Sequence, residues 1–194
     1  RRVGVAQGRA AMRFIDIGCG GGVKVMLAAE IFDQALGLEY DPGYVAAARR
    51  ARSQMGQPED RVFQADALAY AGYGDFDVIY FYRPMQDDAA MIRLEQRIVT
   101  MARPGTILIA PYPLFAARAA DWGCGHVAGA VYVTATTAAE AAALHDKAET
   151  TGITLPRPGA TEADHDYLAP MITAAEFCSR PSMAIPQDMM VMNA

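Results

Sequence analysis

The sequence predicts an α/β fold in which a mostly parallel sheet lies between two layers of helices. Over the first two thirds of the 194 residues, short apolar segments alternate with helical segments, which is typical of strands joined by crossover helices. The first apolar segment runs directly into a group of glycines, as a strand does before a tight turn. Hydrophobic residues make up 53% of the chain, enough to bury a sizeable core within one domain.

Local patterns predict the elements in order. Asp41 and Pro42 mark the start of a helix, because Asp accepts hydrogen bonds from free amides and proline suits the first helical turn. The predicted strands cover residues 13–17, 34–39, 61–64, 76–82, 106–110 and 129–134. The predicted helices cover residues 23–31, 42–55, 87–102 and 138–149. No seventh strand is evident from the sequence.

We assign residues 1–155 to one domain and residues 156–194 to an irregular tail. After Leu155 the alternation gives way to proline, glycine, acidic residues and methionine, and no linker separates a second domain. We expect the tail to pack on the domain or to remain mobile. The chain begins at Arg1 without an initiator methionine, so residues upstream of it are expected to be missing from the sequence.

Composition argues against nucleic acid and membrane as partners. The net charge is −5, whereas binding to phosphates normally requires a clustered basic surface. The arginine cluster formed by Arg49, Arg50 and Arg52 is interpreted as an ordinary solvated helix face. No apolar segment approaches the roughly 18 residues that a bilayer span requires.

The cysteines predict neither a disulfide framework nor a metal site. Cys19, Cys124 and Cys178 are an odd number at wide spacings. Cys124 and His126 lie two residues apart, but no second pair completes a tetrahedral site. We therefore predict no metal and a reducing cytoplasm, and the preference for alanine and arginine over lysine suggests a bacterial source.

The strongest functional signal is the segment Asp16-Ile-Gly-Cys-Gly-Gly-Gly22 between the first strand and the first helix. Glycine lets the backbone approach a ligand closely, because it has no Cβ and tolerates positive φ. A dinucleotide loop reads G-x-G-x-x-G, but the third glycine comes one position earlier here. Asp16 would also repel a pyrophosphate and favour a ligand with positive charge. The segment therefore predicts a cationic, phosphate-free nucleoside as cofactor.

Two acidic residues downstream strengthen this prediction. Glu39 ends the second strand, where its carboxylate can accept hydrogen bonds from both hydroxyls of a ribose. Asp66 follows the third strand, where it can accept a hydrogen bond from the amino group of an adenine. The alternative for Asp66 is a helix N-cap ahead of residues 67–70.

Residues 14–22, 37–41 and 64–66 resemble the first three motifs of class I, Rossmann-like S-adenosylmethionine-dependent methyltransferases. The match covers roughly residues 13–113. The resemblance implies S-adenosylmethionine as cofactor and a sheet of strand order 3-2-1-4-5 plus edge strands. It also implies methyl transfer to an acceptor that the sequence does not identify, either a small molecule or a protein side chain.

The resemblance also implies which residues surround the cofactor. Glu39 would hold the ribose, Asp66 the adenine amino group, and Tyr40 would flank the adenine ring. Cys19 could act as a nucleophile at a helix N-terminus, but we favour a side chain that fills space between strand and helix. The complete set of candidate cofactor-binding residues is Asp16, Gly18, Cys19, Gly20, Gly22, Glu39, Tyr40, Asp66, Ala67 and Tyr80.

The segment after the fourth strand, Tyr80-Phe-Tyr-Arg-Pro84, is the candidate acceptor site, because ligands of open α/β sheets bind beyond the carboxyl ends of the strands. The alternative for Tyr80 is that it faces the core. The candidate catalytic residues are Tyr82, Arg83, as a partner for a carboxylate, and His126, as a general base.

The same segment lacks the Asn/Asp-Pro-Pro-Tyr/Phe pattern of enzymes that methylate planar amines. Together with residues 111–115 it is similar to Dot1-like and related protein-lysine methyltransferases. Two other functions remain open: a non-catalytic module that binds S-adenosylmethionine, and a NAD-dependent oxidoreductase, which shares the sheet and the acidic residue at position 39.

Overall fold

A computed structural model describes residues 12–151, and the predicted tail, His165 and Cys178 lie outside them. The strands are β1 (Arg13–Ile17), β2 (Gln34–Glu39), β3 (Val62–Gln64), β4 (Val78–Phe81), β5 (Ile107–Ile109), β6 (Cys124–Ala128) and β7 (Val131–Thr134). The α-helices are α1 (Val23–Ala28), α2 (Pro42–Gln54), α3 (Asp88–Met101), α4 (Pro113–Ala119) and α5 (Ala138–Thr151). Short 3-10 helices cover Glu59–Arg61 and Gly72–Asp75.

The strands form one sheet of order β3-β2-β1-β4-β5-β7-β6. The first five strands pair in parallel, and β7 pairs antiparallel with both β5 and β6. The predicted α/β class and the 3-2-1-4-5 order with edge strands are therefore confirmed. The carboxyl ends of β1, β2, β3 and β4 meet at one edge of the sheet.

The expectation that the sheet lacks a seventh strand is wrong. Residues 124–128 form β6 and reverse into β7 through Gly129, whose φ of +54° favours glycine. The sequence Cys-Gly-His-Val-Ala carries one β-branched residue and a glycine, so its strand propensity is weak. Pairing with β7 stabilises it. The predicted sixth strand at 129–134 is β7, shortened to Val131–Thr134.

Two hydrophobic cores cover the two faces of the sheet. On one face, Ile15, Ile79 and Leu108 pack with Leu94 of α3 and Phe115 of α4. On the other face, the core residues come from β1 to β4, α1 and α2: Phe14, Val25, Val45, Val62 and Val78. Strand residues that alternate between these cores fix the register, since a shift by one residue would exchange the two faces.

Helix caps hold the connections at the carboxyl edge. The Asp41 carboxylate accepts hydrogen bonds from Gly43 N and Tyr44 N, with Pro42 in the first turn, as the sequence predicts. Asp87 caps α3 in the same way through Ala90 N. Glu39 ends β2 only two residues before Asp41, so the cap fixes the direction in which the chain leaves the strand.

Candidate functional site

Asp16 lies at the carboxyl end of β1 as a buried carboxylate that lacks a partner. It is 1% exposed, and its Oδ2 makes no hydrogen bond with any described residue. Burial raises the pKa of Asp16 to about 6, Lys24 opposes that rise, and Glu39 adds to it. Because buried polar atoms are nearly always hydrogen-bonded, this oxygen indicates a missing partner that donates a hydrogen bond or carries positive charge.

The glycine loop between β1 and α1 is fixed to the end of β2. Gly18 N and Cys19 N donate hydrogen bonds of 2.8 and 3.0 Å to the Leu38 carbonyl oxygen. Gly20 has a φ of +51°, and a Cβ built on it would meet no atom within 4 Å. The loop therefore leaves open space beside the end of β1, as close approach of a ligand requires.

Glu39 holds this loop rather than presenting a free carboxylate. Its Oε2 accepts a hydrogen bond of 2.8 Å from Gly20 N, and its Oε1 accepts from Tyr40 N at 2.8 Å and Asp41 N at 3.0 Å. A carboxylate offers about four acceptor positions, so these backbone groups leave limited capacity for a ribose. The sequence did not reveal this positioning role.

A cavity of about 320 Å³ lies beside the loop, at the carboxyl ends of β1, β2 and β3. It brings together five of the candidate cofactor-binding residues: Gly18, Glu39, Tyr40, Asp66 and Ala67. Sequence reasoning missed the lining residues Leu38, Leu68 and Met85, and it assigned Pro84 to the acceptor segment rather than to the cofactor cavity. The residues at positions 84 and 85 follow β4, so only the fold brings them here.

Gly18 and Pro84 form a close contact that shapes the cavity. A Cβ at Gly18 would overlap the Cβ of Pro84, and Gly18 has a φ of +73°. Glycine is therefore required at this position for two reasons: the backbone has a positive φ, and no room is left for a Cβ. This contact joins the glycine loop to the segment after β4.

Asp66 holds a turn and also lines the cavity. Its Oδ1 accepts a hydrogen bond of 2.8 Å from Leu68 N, which caps a turn at residues 66–70 rather than a helix. The residue also lines the cavity, and Oδ2 makes no hydrogen bond with the described residues. Ala67 is buried beneath it, whereas Tyr40 is 71% exposed at the rim.

Gly22 and Cys19 pack against neighbouring elements and do not line the cavity. A Cβ at Gly22 would approach Ala48 and Val62 at 3.3 Å, so this residue allows α1 to pack near α2 and β3. A Cβ at Gly37 would lie 2.6 Å from Cys19 Sγ, so the thiol fills the space above β2. This packing supports the space-filling interpretation of Cys19 over the nucleophilic one.

We expect Cys19 and Cys124 to resist alkylation in the native protein. Burial raises the pKa of the Cys19 thiol to about 12, with Asp16 and Glu39 adding to the rise, and burial raises that of Cys124 to about 11. Almost no thiolate is therefore present at neutral pH. Site-resolved mass spectrometry after iodoacetamide treatment, with and without denaturant, measures this. Rapid native labelling of Cys19 would contradict the assignment.

Tyr80 lies directly beside Asp16 in the sheet. The two residues are register partners in the parallel pair β1–β4, so their side chains share one face. The Nζ of Lys24 lies 5.0 Å from the centre of the Tyr80 ring. Tyr80 is half-buried against the core of that face. Tyr80 therefore lies beside Asp16 and also packs on the core of that face.

Tyr82 and Arg83 lie just beyond β4, at the exposed mouth of the site. The Tyr82 ring centre is 6.2 Å from that of Tyr112, which follows β5. Arg83 donates a hydrogen bond of 3.1 Å to Asp88 and has a φ of +42°, unusual for a non-glycine residue that precedes proline. Such strain is often found near functional sites. Tyr112 was not identified from the sequence.

Tyr112 is held by a buried ionic network. Glu95 of α3 is 0% exposed and accepts a hydrogen bond of 2.7 Å from the Tyr112 hydroxyl. Arg118 of α4 binds both oxygens of Glu95 at 2.6–2.9 Å. Burial and the bond to Glu95 raise the pKa of Tyr112, so the hydroxyl remains protonated and donates. The network fixes the start of α4 against α3.

The structure places His126 away from this site. The sequence interpretation put it just before a strand, but it lies within β6 at the outer edge of the sheet. The strands β5 and β7 separate it from β4, a distance of roughly 14 Å at normal strand spacing. Its Nε2 lies 3.0 Å from the Gly129 carbonyl oxygen. This position does not support a general base at the glycine loop.

Within residues 12–151 no helix is both long and apolar enough to cross a membrane. No group of three or more metal-binding side chains is found there either.

Several solved structures have a similar fold over part of the chain. CalS10, an amino pentose methyltransferase from Micromonospora echinaspora with S-adenosylmethionine bound, is 24% identical, with a TM-score of 0.44 over 52% of this chain and 42% of that chain. The sugar N-methyltransferase KedS8 from Streptoalloteichus is 26% identical, with a TM-score of 0.42 over 52% and 40%. An RNA methyltransferase from Salinibacter ruber in complex with S-adenosyl-L-homocysteine is 24% identical, with a TM-score of 0.44 over 51% and 63%.

Each of these structural matches spans less than two thirds of the length of the matched protein.

No curated protein sequence matches the chain significantly. A family model described as a methyltransferase domain matches residues 9–153, which include all seven strands. This match extends over most of the chain and confirms the recognition made from the glycine loop and the two acidic residues. The chain belongs to the methyltransferase-domain family.

Proposed function

We propose that the protein is an S-adenosylmethionine-dependent methyltransferase with its cofactor at the glycine loop. One observation carries the proposal: the buried Oδ2 of Asp16, at the carboxyl end of β1, has no hydrogen-bond partner among the residues that the structure describes. The donor that it lacks is supplied by the α-ammonium of this cofactor. A pyrophosphate would instead meet the charges of Asp16, Glu39 and Asp66. Family membership agrees with this choice.

Different residues around the cavity would contact different parts of the cofactor. Asp66 accepts a hydrogen bond from the adenine amino group through Oδ2, while Oδ1 holds the turn. Tyr40 and Ala67 contact the adenine ring from the rim and the floor. Glu39 keeps the glycine loop in place and uses its remaining acceptor position for the ribose. Pro84 and Met85 close the side of the cavity below the acceptor site.

The cofactor supplies an electrophilic methyl group, so the protein contributes mainly alignment and removal of water. Tyr82 and Tyr112 form an aromatic wall at the carboxyl ends of β4 and β5. The guanidinium of Arg83 uses one donor for Asp88 and keeps others for a carboxylate of the acceptor. The acceptor is a small molecule or a protein side chain, and it arrives deprotonated or loses its proton to water.

A cytosolic location is part of the proposal. Cys19 and Cys124 are both free thiols in the described part of the chain, which agrees with a reducing compartment.

Thermal unfolding with S-adenosylhomocysteine and with NAD tests the proposal. A ligand that binds only the native state raises the melting temperature, so we expect a saturable rise with S-adenosylhomocysteine and none with NAD. Stabilisation by NAD alone would favour the oxidoreductase and refute the proposal. Transfer of a labelled methyl group to any member of an acceptor panel, including cell extract, separates an enzyme from a binding module.

Binding of S-adenosylhomocysteine should weaken as the pH falls below about 6. Only the ionised Asp16 attracts the α-ammonium of the ligand, and burial raises the pKa of this carboxyl group. The dissociation constant is expected to rise about tenfold for each pH unit below that value and to level off above it. Isothermal titration calorimetry across this pH range measures the effect. A pH-independent dissociation constant would show that Asp16 does not bind the ammonium.

A further inference from the structure

A second cavity lies at the opposite end of the sheet. It has a volume of about 270 Å³ and lies between the turn before β2, the end of α2 and the segment before β3. Its lining residue Ala35 lies four positions before Glu39 in β2, which corresponds to roughly 13 Å along the strand. This cavity is therefore distinct from the proposed cofactor site.

Arg52 projects into this cavity as a buried cation. The sequence placed it on a solvated helix face, but it is 2% exposed, so that interpretation is wrong for this residue. Its Nε donates a hydrogen bond of 2.8 Å to the Pro58 carbonyl oxygen. Its Nη1 is buried with no hydrogen-bond partner among residues 12–151, and none of the described ion pairs includes Arg52. Burial and the nearby Arg61 lower the pKa of this guanidinium.

Gln57 adds a second buried atom that lacks a partner. Its Oε1 makes no hydrogen bond within the described part of the chain, and the residue lines the same cavity. An unpaired Nη1 requires an acceptor, whereas an unpaired Oε1 requires a donor. Leaving both atoms buried and unsatisfied is unfavourable. A ligand that satisfies both must therefore carry an acceptor and a donor.

The charges around the cavity have both signs. The lining includes Arg52 and Arg61 together with Glu30 and Asp33. One oxygen of Asp33 already accepts a hydrogen bond from Met12 N. A simple anion would be repelled by the two carboxylates, and a simple cation by the two arginines. The volume is also many times that needed to hold one water molecule.

We propose that this cavity is a second binding site, for a small zwitterion such as an α-amino acid. Its carboxylate binds the guanidinium groups of Arg52 and Arg61. Its ammonium donates to Gln57 Oε1 and lies near Glu30 and Asp33. One ligand of this class supplies both missing partners and matches the paired charges.

Thermal unfolding of the full chain with matched probes tests this proposal. The zwitterionic probes are glycine, alanine, serine and proline, with acetate as the anion and methylammonium as the cation, all at equal ionic strength. We expect at least one zwitterion to raise the melting temperature saturably by about 2 °C or more, and neither single ion to do so. An equal effect of acetate would indicate an anion site, and no effect of any probe a water-filled cavity; either result overturns the proposal.

Two variants and a matched control locate the effect. Arg61→Ala and Gln57→Ala should each abolish the response to the zwitterion, whereas Arg50→Ala, on the exposed face of α2, should retain it. All three variants should still be stabilised by S-adenosylhomocysteine, which shows that they fold. A full zwitterion response in Arg61→Ala would place binding elsewhere and refute the assignment.

Discussion

Replacement of Asp16 by asparagine should raise the melting temperature of the ligand-free protein at neutral pH and abolish its stabilisation by S-adenosylhomocysteine. The folded protein raises the pKa of this carboxyl group from 3.8 to about 6. The folded state therefore binds the proton more tightly than the unfolded state. Ionised Asp16 opposes folding, with no penalty below the lower pKa and the full penalty above the higher one.

The size of the effect follows from the shift of about two pKa units. At 1.36 kcal/mol per unit, removal of the charge should stabilise the ligand-free protein by up to about 3 kcal/mol, or several degrees. Asparagine is almost the same size, so packing is retained. Calorimetric unfolding with and without ligand measures both effects.

Asp121→Asn is the matched control, because Asp121 is exposed in the turn after α4. It should change neither the melting temperature nor the response to ligand. An Asp16→Asn protein that is less stable than the parent and still responds to S-adenosylhomocysteine would show that the carboxylate is structural. A variant with a higher melting temperature without ligand and no stabilisation by ligand identifies Asp16 as a binding group rather than a packing group.

Arg118→Ala should destabilise the protein more than loss of any exposed ion pair. It leaves Glu95, which is 0% exposed, as a buried charge whose remaining partner is the Tyr112 hydroxyl. Breaking a buried pair in this way costs about 3–5 kcal/mol, equivalent to a fall in melting temperature of about 10 °C. The Arg118 guanidinium also lies 5.6 Å from the ring centre of Trp122, the single tryptophan, so the intrinsic fluorescence should change.

Two further variants test the origin of this loss. Arg103→Ala removes a surface ion pair with Asp77 and should cost less than about 1 kcal/mol. Glu95→Leu combined with Arg118→Leu removes both charges and should recover most of the stability. If Arg118→Ala unfolds at the parent temperature, Glu95 is not the buried charge that the structure shows.

The same network positions Tyr112 beside the proposed acceptor site. It joins α3 to α4 and fixes Tyr112, whose ring faces Tyr82. Neither Glu95 nor Arg118 stands out in the sequence, because a glutamate in a helix and an arginine 23 residues later are ordinary surface residues by composition. Only the packing of α4 on α3 makes them a buried pair. The sequence therefore predicted Tyr82 and Arg83 at the strand end but not the residue opposite them.

The features that the sequence alone determined depend on short local motifs. The glycine loop follows β1 directly, Glu39 is the last residue of β2, and Asp66 lies two residues after β3. The carboxyl ends of these parallel strands meet at one edge. The α/β class, the strand order and the methyltransferase family therefore follow from a few short motifs. Tertiary packing decided the rest. The pairing of β7 with β5, which places β6 and His126 at the outer edge, depends on residues far apart in the chain. So do the burial of Arg52 and the contact of Pro84 with Gly18, and no local pattern encodes these approaches.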